Sequence, residues 1–258
     1  MSSILPPVDQ NDDQNVDNLS SSKVRRIRRI GFLVFTLAMT ALLVKLGSWQ
    51  MSRADEKAQL LAQLDIRQQT VLTDVDARNV DLKGFGVAII GQFDDEKSIL
   101  LDNQTLNGQV GYRWIVPFHH QGQWILVELG WIAAPARRDE LPVLPSIGNT
   151  LLVKGVLDTP SDRVVLKQEN TDVRWPLRIQ SVDIDALSEK TGQALSPWIV
   201  RSAGLEDTQG SQVDVGVIPV WNPVVMLPEK HYAYAAQWFG LALVVVIGFL
   251  VWWRKGHL

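Results

Sequence analysis

A histidine begins the most informative stretch of this 258-residue sequence. His231 follows a short charged cluster, and an uncharged run continues from it to Trp253. A run of about 21 residues, at roughly 1.5 Å per residue in a helix, can cross a bilayer core of about 30 Å. His231 is therefore predicted to lie at the boundary between membrane and water, where an ionisable side chain is a candidate functional group.

The spacing around His231 indicates what this side chain could bind. In a helix that begins near it, Ala235, Trp238 and Phe239 share its face. Small residues on that face admit a flat macrocycle or another helix, and a neutral imidazole is a standard axial ligand of haem iron. The alternative is an interfacial histidine beside an aromatic belt that includes Tyr232 and anchors the helix. The residue types alone favour the anchor.

A second group of residues is predicted to lie at the same depth. Trp49, Gln50 and Arg53 end the other apolar segment of the chain, so a helix pair can bring them level with His231. Arg53 could pair with a carboxylate such as a haem propionate, or with a lipid phosphate. Its alternative role is membrane anchoring by a snorkelling arginine.

Basic residues flank both apolar segments and indicate their orientation. Transmembrane helices are predicted over residues 30–50 and 232–253. Residues 23–29 carry five positive charges and no acid, and Arg254 and Lys255 follow the second helix. Because such flanks mark the cytoplasmic side, both termini are expected in the cytoplasm.

The remaining segments follow from this orientation. Residues 1–22, rich in Asp, Asn and Ser, are predicted to be a disordered cytoplasmic tail, and residues 254–258 form a second tail. Residues 53–230 are then a periplasmic domain of a multi-pass protein in a bacterial inner membrane. A cleaved signal peptide competes with the first helix, but residues 46–50 offer no good cleavage site.

The periplasmic segment is predicted to be a β-rich α+β domain between the two helices of a transmembrane hairpin. Residues 124–131 alternate, with Ile125, Val127, Leu129 and Trp131 on one face and Glu128 on the other. Asn107-Gly108 and Gln121-Gly122 are typical hairpin turns. Further strands are predicted over residues 87–90, 113–117, 151–157, 164–167, 198–201 and 213–220, and helices over residues 53–69 and 183–190, the latter capped by Asp183 or Asp185.

Signatures of catalysis and of nucleic-acid binding are missing from the sequence. The chain has no cysteine, so it has no thiolate metal site and no disulfide. His119 and His120 are adjacent, and on a strand their side chains point to opposite faces, so they are predicted to be hairpin-end residues. No nucleophile elbow, phosphate loop or dinucleotide fingerprint is present, and basic residues are dispersed outside the membrane flanks. The chain is therefore not expected to be an enzyme.

Five ordered stretches resemble the Surfeit locus protein 1 family, the cytochrome c oxidase biogenesis factors of mitochondria and bacteria. They are residues 47–53 (Gly-x-Trp-Gln-x-x-Arg), 101–118, 130–138, 175–180 (Trp-Pro-x-x-x-Gln) and 228–239 (Pro-Glu-Lys-His-x-x-Tyr-Ala-x-Gln-Trp-Phe). One departure is Glu128-Leu129, which stands where the family commonly has Asn-Arg before Gly-Trp. What replaces the contacts of that arginine is open at this point.

The resemblance implies a non-catalytic assembly factor for a haem-copper oxidase. It would deliver haem a to oxidase subunit I or stabilise the unassembled subunit, with other oxidase assembly factors and the lipid bilayer as further partners. By resemblance His231 becomes a haem iron ligand, and Trp238, Trp49 and Arg53 become contacts of the cofactor. A haem chaperone and a scaffold without haem both remain open. The alternative from another class is a membrane-anchored periplasmic module that binds a ligand or partner unrelated to haem.

Overall fold

The computed structural model describes residues 10–75, 81–137, 139–148, 150–160 and 174–255, and these form two compact units. The first unit combines the described parts of residues 1–59 and 224–258, and the second is Leu60–Pro223. The strand predicted over residues 164–167 lies outside the described residues.

Helix α1 (Gln10–Gln68) is one continuous helix of 59 residues. No proline occurs between residues 8 and 116, so nothing in this stretch removes a helical hydrogen bond. The helix predicted over residues 53–69 is therefore an extension of the first apolar segment rather than a separate element. Because α1 begins at Gln10, residues 10–22 are helical, which differs from the prediction of a disordered tail; residues 1–9 lie outside the described residues.

Helix α3 (Pro228–Lys255) pairs with α1 in the first unit. Pro228 lies in the first turn, where a missing N–H leaves no bond unmade, and the last turn is basic, which suits the helix dipole. At this basic end the ring of Phe32 in α1 lies 4.4 Å from that of Trp252 and 5.8 Å from that of Phe249. At the other end His231 contacts Gln50 of α1, so the two helices are antiparallel.

The length of this helix pair matches a bilayer. Its two end contacts are separated by about 18 residues on each helix, or about 27 Å, close to a hydrocarbon core of about 30 Å. Both helices are long and apolar enough to cross a membrane. The most apolar 18-residue windows of α1 and α3 have mean hydropathies of 2.0 and 2.1, and only 17% and 11% of these windows are buried. Apolar surface this exposed is typical of membrane helices rather than of a soluble core. The predicted pair of apolar helices flanking a strand-rich domain is thus present.

In the described part of the second unit, nine strands form one sheet. The strands are β1 (Val71–Leu72), β2 (Gly86–Phe93), β3 (Ile99–Leu106), β4 (Gln109–His120), β5 (Gln123–Ala133), β6 (Thr150–Asp158), β7 (Leu177–Ile179), β8 (Leu195–Glu206) and β9 (Gln212–Val213). Their order is β1-β2-β6-β8-β5-β4-β3-β7, with β9 paired to β8.

Five of these strands close into a barrel, because β2 pairs with β4 as well as with β6. Gln92 and Phe93 of β2 lie opposite His119 and Phe118 of β4, which completes the ring β2-β6-β8-β5-β4. Closure leaves these strands without a free edge. The barrel core is filled by buried apolar side chains from every strand of the ring, among them Ile89, Trp114, Phe118, Val127, Val153 and Val200.

A second apolar layer covers the outer face of the barrel. It includes Ile115, Leu126 and Ile199 from β4, β5 and β8, together with Leu187 from helix α2 (Ile184–Thr191). Helix α2 confirms the helix predicted over residues 183–190. The backbone N–H of Ala186 donates to Oδ1 of Asp183 at 3.1 Å, so Asp183 is the cap.

The hairpin turns agree with their prediction, whereas some strands do not. Asn107-Gly108 and Gln121-Gly122 both have positive φ at the two turn residues, as a type I′ turn requires. The strand predicted over residues 213–220 is wrong beyond β9, since the chain after Val213 makes only an isolated bridge at Ile218. Strands β1, β3 and β7 were not predicted.

The predicted face of Trp131 is also wrong. Ile115 pairs with Glu128 and Trp114 pairs with Gly130, so Leu129 is an extra residue in β5. Such a bulge resets the alternation of side chains. Trp131 therefore lies opposite Arg113, outside the barrel core, and its indole donates to the carbonyl of Gln104 at 2.8 Å.

The antiparallel pairing of α1 and α3 predicts a specific cross-link. Because the chain has no cysteine, Phe32→Cys with Trp252→Cys introduces the only reactive pair. A short bismaleimide should join these two positions in membranes, and mass spectrometry of the digested protein should detect the linked peptides. Val34→Cys with Trp252→Cys is the matched control, because Val34 is 58% exposed and about 200° around α1 from Phe32. Equal linkage of both pairs would contradict this register.

Candidate functional site

His231 and Gln50 are joined at the end of the helix pair opposite to Phe32. Nδ1 of His231 lies 2.8 Å from Oε1 of Gln50. A carbonyl oxygen only accepts hydrogen bonds, so the ring donates from Nδ1. Beside this bond, Oη of Tyr232 donates to Oδ1 of Asp55 at 2.7 Å. The two bonds tie the first turn of α3 to α1.

Small residues bring the helices together one turn deeper. The ring of Phe239 lies against Gly47, where a Cβ atom would be 2.7 Å from the ring atom Cε1. Ala235, between His231 and Phe239 on one face of α3, is only 2% exposed. The face that carries His231 therefore packs on α1. The sequence was compatible with either another helix or a flat macrocycle against this face. In the structure, the neighbour is helix α1.

The other ring nitrogen of His231 is available to a ligand. Among the described residues Nε2 has no hydrogen-bond partner, and the side chain is half-buried. When the proton of a neutral imidazole is on Nδ1, the lone pair is on Nε2, and this is the form that binds a metal. This imidazole therefore fits the role of an axial ligand to haem iron.

The other three predicted site residues lie near this pair without contacting His231 in the described structure. The guanidinium of Arg53 is 5.8 Å from the ring centre of Trp49, which is 51% exposed. Arg53 also pairs with Glu56, Nη1 to Oε2, at 2.7 Å. Both of these charged side chains are about half exposed, and such a pair contributes little, so the guanidinium can exchange partners. Trp238 is half-buried, two turns along α3 from His231.

A groove next to Arg53 is lined by acidic side chains, and one of them, Glu56, is the partner of Arg53. The groove encloses about 680 Å³ and is lined by Ser48, Met51, Ser52, Asp55, Glu56, Gln59 and Phe239. Its charged groups are carboxylates, which repel an anionic ligand. Of the candidate site residues, Arg53 is therefore the one whose charge suits an anionic group.

The barrel unit contains a separate cluster of charges around the buried Glu128. Glu128 is 2% exposed and accepts hydrogen bonds from Arg113, at 2.6 Å, and from Arg201. Nε of Arg201 lies 3.3 Å from Oδ2 of Asp158, whose other oxygen is 3.0 Å from the ammonium of Lys83. Burial, together with the positive charge of Arg113, lowers the pKa of Arg201 to about 10. Glu128 thus has two arginine partners, and one of them, Arg201, is shared with Asp158.

This charged cluster lines a cavity of about 160 Å³. Gln104, Gln180 and Trp221 add amide groups and an indole to its wall. The wall is polar and charged, so the cavity suits water or a small polar ligand rather than an apolar one.

Comparison with known proteins is consistent along most of the chain. The model of the SURF1 family matches residues 37–243. The chain belongs to the SURF1 family. It is 25% identical over 234 residues to a SURF1-like protein of Rickettsia prowazekii (strain Madrid E), covering 89% of this chain and 92% of the relative. It is 26% identical over 246 residues to the Surfeit locus protein 1 of Rattus norvegicus, covering 86% of this chain and 74% of the relative.

Within the SURF1 family pattern, the departure at Glu128-Leu129 has a local explanation. Leu129 is the bulged residue of β5 and is buried in the barrel core at 2% exposure, where a charge would be unpaired. Glu128 supplies the negative charge that Arg113 and Arg201 require. The acid at this position is therefore part of a local ion cluster in this chain.

Sequence reasoning placed Gln50 at the depth of His231 but did not name it as a site residue. The available signal was its spacing: Gly47, Gln50 and Ala54 follow the i, i+3, i+7 pattern of one helix face. In contrast, the prediction for His119 and His120 as hairpin-end residues agrees with their position at the end of β4. Among the described residues, no group of three potential ligands could hold a metal ion.

Glu128→Gln should destabilise the barrel unit strongly. The substitution leaves two neighbouring, largely buried guanidinium groups with one carboxylate fewer. Removing one partner of a fully buried ion pair costs about 3–5 kcal/mol, which sets the upper end of the expected loss. Denaturant unfolding of the full chain in detergent, followed by tryptophan fluorescence, would measure the loss. The control is Glu140→Gln, which removes an exposed partner of Arg137 and should change stability by less than about 0.5 kcal/mol. Equal stability of the two variants would show that Glu128 does not stabilise the cluster.

Proposed function

We propose that this SURF1-family chain is a non-catalytic assembly factor that holds haem a transiently while a haem-copper oxidase matures. The observation that carries the proposal is the His231 imidazole, fixed by Gln50 through Nδ1 and with Nε2 left without a partner among the described residues. The family resemblance supports a role in oxidase maturation, and the imidazole supports the binding of haem. Haem a is here the cargo of the protein.

His231 and the residues around it would each contact a different part of this cargo. His231 binds the iron through Nε2, and the exposed indole of Trp49 offers an apolar face at the membrane boundary. Arg53 binds a propionate once it releases Glu56, because guanidinium and carboxylate form a charge-assisted bond. Trp238 contributes apolar surface deeper along α3. The carboxylates of the adjacent groove are not part of this proposed site.

The proposed recipient is subunit I of the oxidase, with other assembly factors as additional partners. The apolar side chains of α1 and α3 are largely exposed, and lipid or the helices of another membrane protein can cover them. Helices associate in a membrane through close packing and polar contacts. A partner of this kind would receive the cargo inside the bilayer boundary without exposing it to water.

The proposed location is the bacterial inner membrane, with both termini in the cytoplasm and the barrel unit in the periplasm. The basic residues before α1's apolar segment and in the last turn of α3 support this orientation.

Cysteine labelling tests the orientation directly. In intact cells with a permeable outer membrane, Val143→Cys should react with a membrane-impermeant maleimide, because Val143 is 92% exposed in the barrel unit. Lys255→Cys should react only after the inner membrane is lysed. The reverse pattern would overturn the proposed orientation.

A second candidate function rests on the cavity beside Glu128. A periplasmic module that binds a small polar ligand would use Arg113, Arg201 and Trp221 and would not need His231. Deleting the gene separates the two candidates. Normal oxidase activity and haem content in the deletion strain would favour the binding module and exclude the assembly role.

His231→Ala should reduce haem a in the purified protein by more than about tenfold, because it removes the iron ligand itself. The protein is isolated from cells that make haem a, and its absorption spectrum and haem-to-protein ratio are compared with those of the wild type. His119→Ala is the control, since His119 lies in the barrel unit and its ring packs against Trp124. An unchanged spectrum and ratio in His231→Ala would exclude the ligand role and leave only the scaffold form of the assembly proposal.

A further inference from the structure

We propose that Gln50 is a positioning residue that holds His231 in the one tautomer and ring orientation that can bind haem iron. This inference rests on the proposed function, but its central claim concerns the imidazole before any haem is bound. Gln50 is neither a ligand nor a contact of the cargo. It acts through the hydrogen bond between its Oε1 atom and Nδ1 of His231.

The chemistry of the acceptor determines the tautomer. A neutral imidazole exchanges its proton between two nitrogens, and only the nitrogen without a proton can bind iron. The amide oxygen of Gln50 accepts and cannot donate, so it stabilises the form protonated on Nδ1. The lone pair then remains on Nε2. Metal-binding histidines commonly donate their second N–H to a protein acceptor in this way, which also fixes the plane of the ring.

Contacts between α1 and α3 on both sides of Gln50 keep its side chain within hydrogen-bonding distance of His231. Three residues before Gln50, Gly47 lies against Phe239, and a Cβ at Gly47 would already be too close to that ring. Five residues after Gln50, Asp55 accepts the hydroxyl proton of Tyr232. Contacts on both sides therefore fix the rotation and the register of α1 against α3. The 2.8 Å bond between Gln50 and His231 follows from this packing.

An uncharged acceptor is also the appropriate one at this depth. Among the described residues, no other group hydrogen-bonds to the ring of His231. A carboxylate in place of the amide would accept the same proton but would add a charge at the membrane boundary, where charges are costly. An amide fixes the tautomer without that charge.

The first experiment measures the tautomer in the haem-free full chain in detergent. With ¹⁵N-labelled histidine, the ring nitrogen shifts of His231, assigned with His231→Ala, should show the proton on Nδ1. Gln50→Leu should shift the population toward the form protonated on Nε2, whereas Gln50→Glu, which keeps an acceptor, should not. Gln59→Leu is the control, because Gln59 is an exposed glutamine of the same helix. A proton on Nε2 in the wild type, or no change in Gln50→Leu, would overturn the proposal without any reference to haem.

The second experiment measures the consequence for the cargo. In protein from cells that make haem a, Gln50→Leu should hold haem at least about tenfold more weakly, as expected when a partner behind a metal ligand is lost. Its low-spin absorption band should weaken, and Gln50→Glu should restore the band with a lower midpoint potential. Loss of haem in His231→Ala with wild-type binding and spectrum in Gln50→Leu would refute the positioning role alone. Equal haem in wild type and His231→Ala would instead refute the haem-ligand role of His231 in the proposed function.

Discussion

Two membrane helices can hold a polar pair at a fixed depth only if they share a single register, and here that register depends on the contact of Phe239 with Gly47. Lipid tails are as apolar as leucine, so the hydrophobic effect does not bring the helices together; close packing and hydrogen bonds must do so. Gly47 has no side chain, and the ring of Phe239 occupies that space. Sliding α3 by one turn, about 5.4 Å, would remove this contact and separate His231 from Gln50.

Contacts at the two ends of the helix pair reinforce the same register. Phe32 packs between Phe249 and Trp252 at the basic end, and the bonds of His231 and Tyr232 to α1 lie at the other. Because these contacts are about one bilayer thickness apart, a shift of one helix would break both sets together. The position of the imidazole along the helix pair is therefore determined by the whole length of the pair and not by His231 alone.

In the barrel unit, the charged cluster around Glu128 holds residues 218–220, which follow the last strand, in a fixed position. Arg113, which is tied to Glu128, also donates to the carbonyl of Val220. Two residues earlier, Ile218 exchanges two backbone hydrogen bonds with Trp131, at 2.7 and 2.9 Å. Burying these charges is costly, so their contribution to net stability is small compared with the barrel core. Their consequence is geometric, since they fix the path of residues 218–220 along the outer face of the barrel.

Local features of the fold were predictable from the sequence, and features that depend on distant pairing were not. Turn residues such as Asn107-Gly108 and the cap Asp183 specify their own geometry. The lengths of the apolar segments of α1 and α3 can be counted directly in the sequence. The closing of β2 onto β4 depends on residues about 26 positions apart, which no local periodicity records. The bulge at Leu129 moved Trp131 to the other face because alternation assumes that no residue is inserted. For the candidate site, His231 could be identified from its position at the start of an apolar run. Gln50 could be identified only once it was known which face of α1 packs against which face of α3.

The same geometry explains how the proposed site could release its cargo. Arg53 already has a partner in Glu56, so a propionate gains only the difference between two similar ion pairs. His231 is half-buried and would supply one ligand, and the described residues contain no group of three potential metal ligands. Binding would then depend mainly on the orientation of one imidazole, which the bond to Gln50 fixes in advance and at no cost in ordering when haem arrives. A site of this kind would gain selectivity from preorganisation while its total affinity stays low enough for transfer to a protein that binds the cargo more tightly.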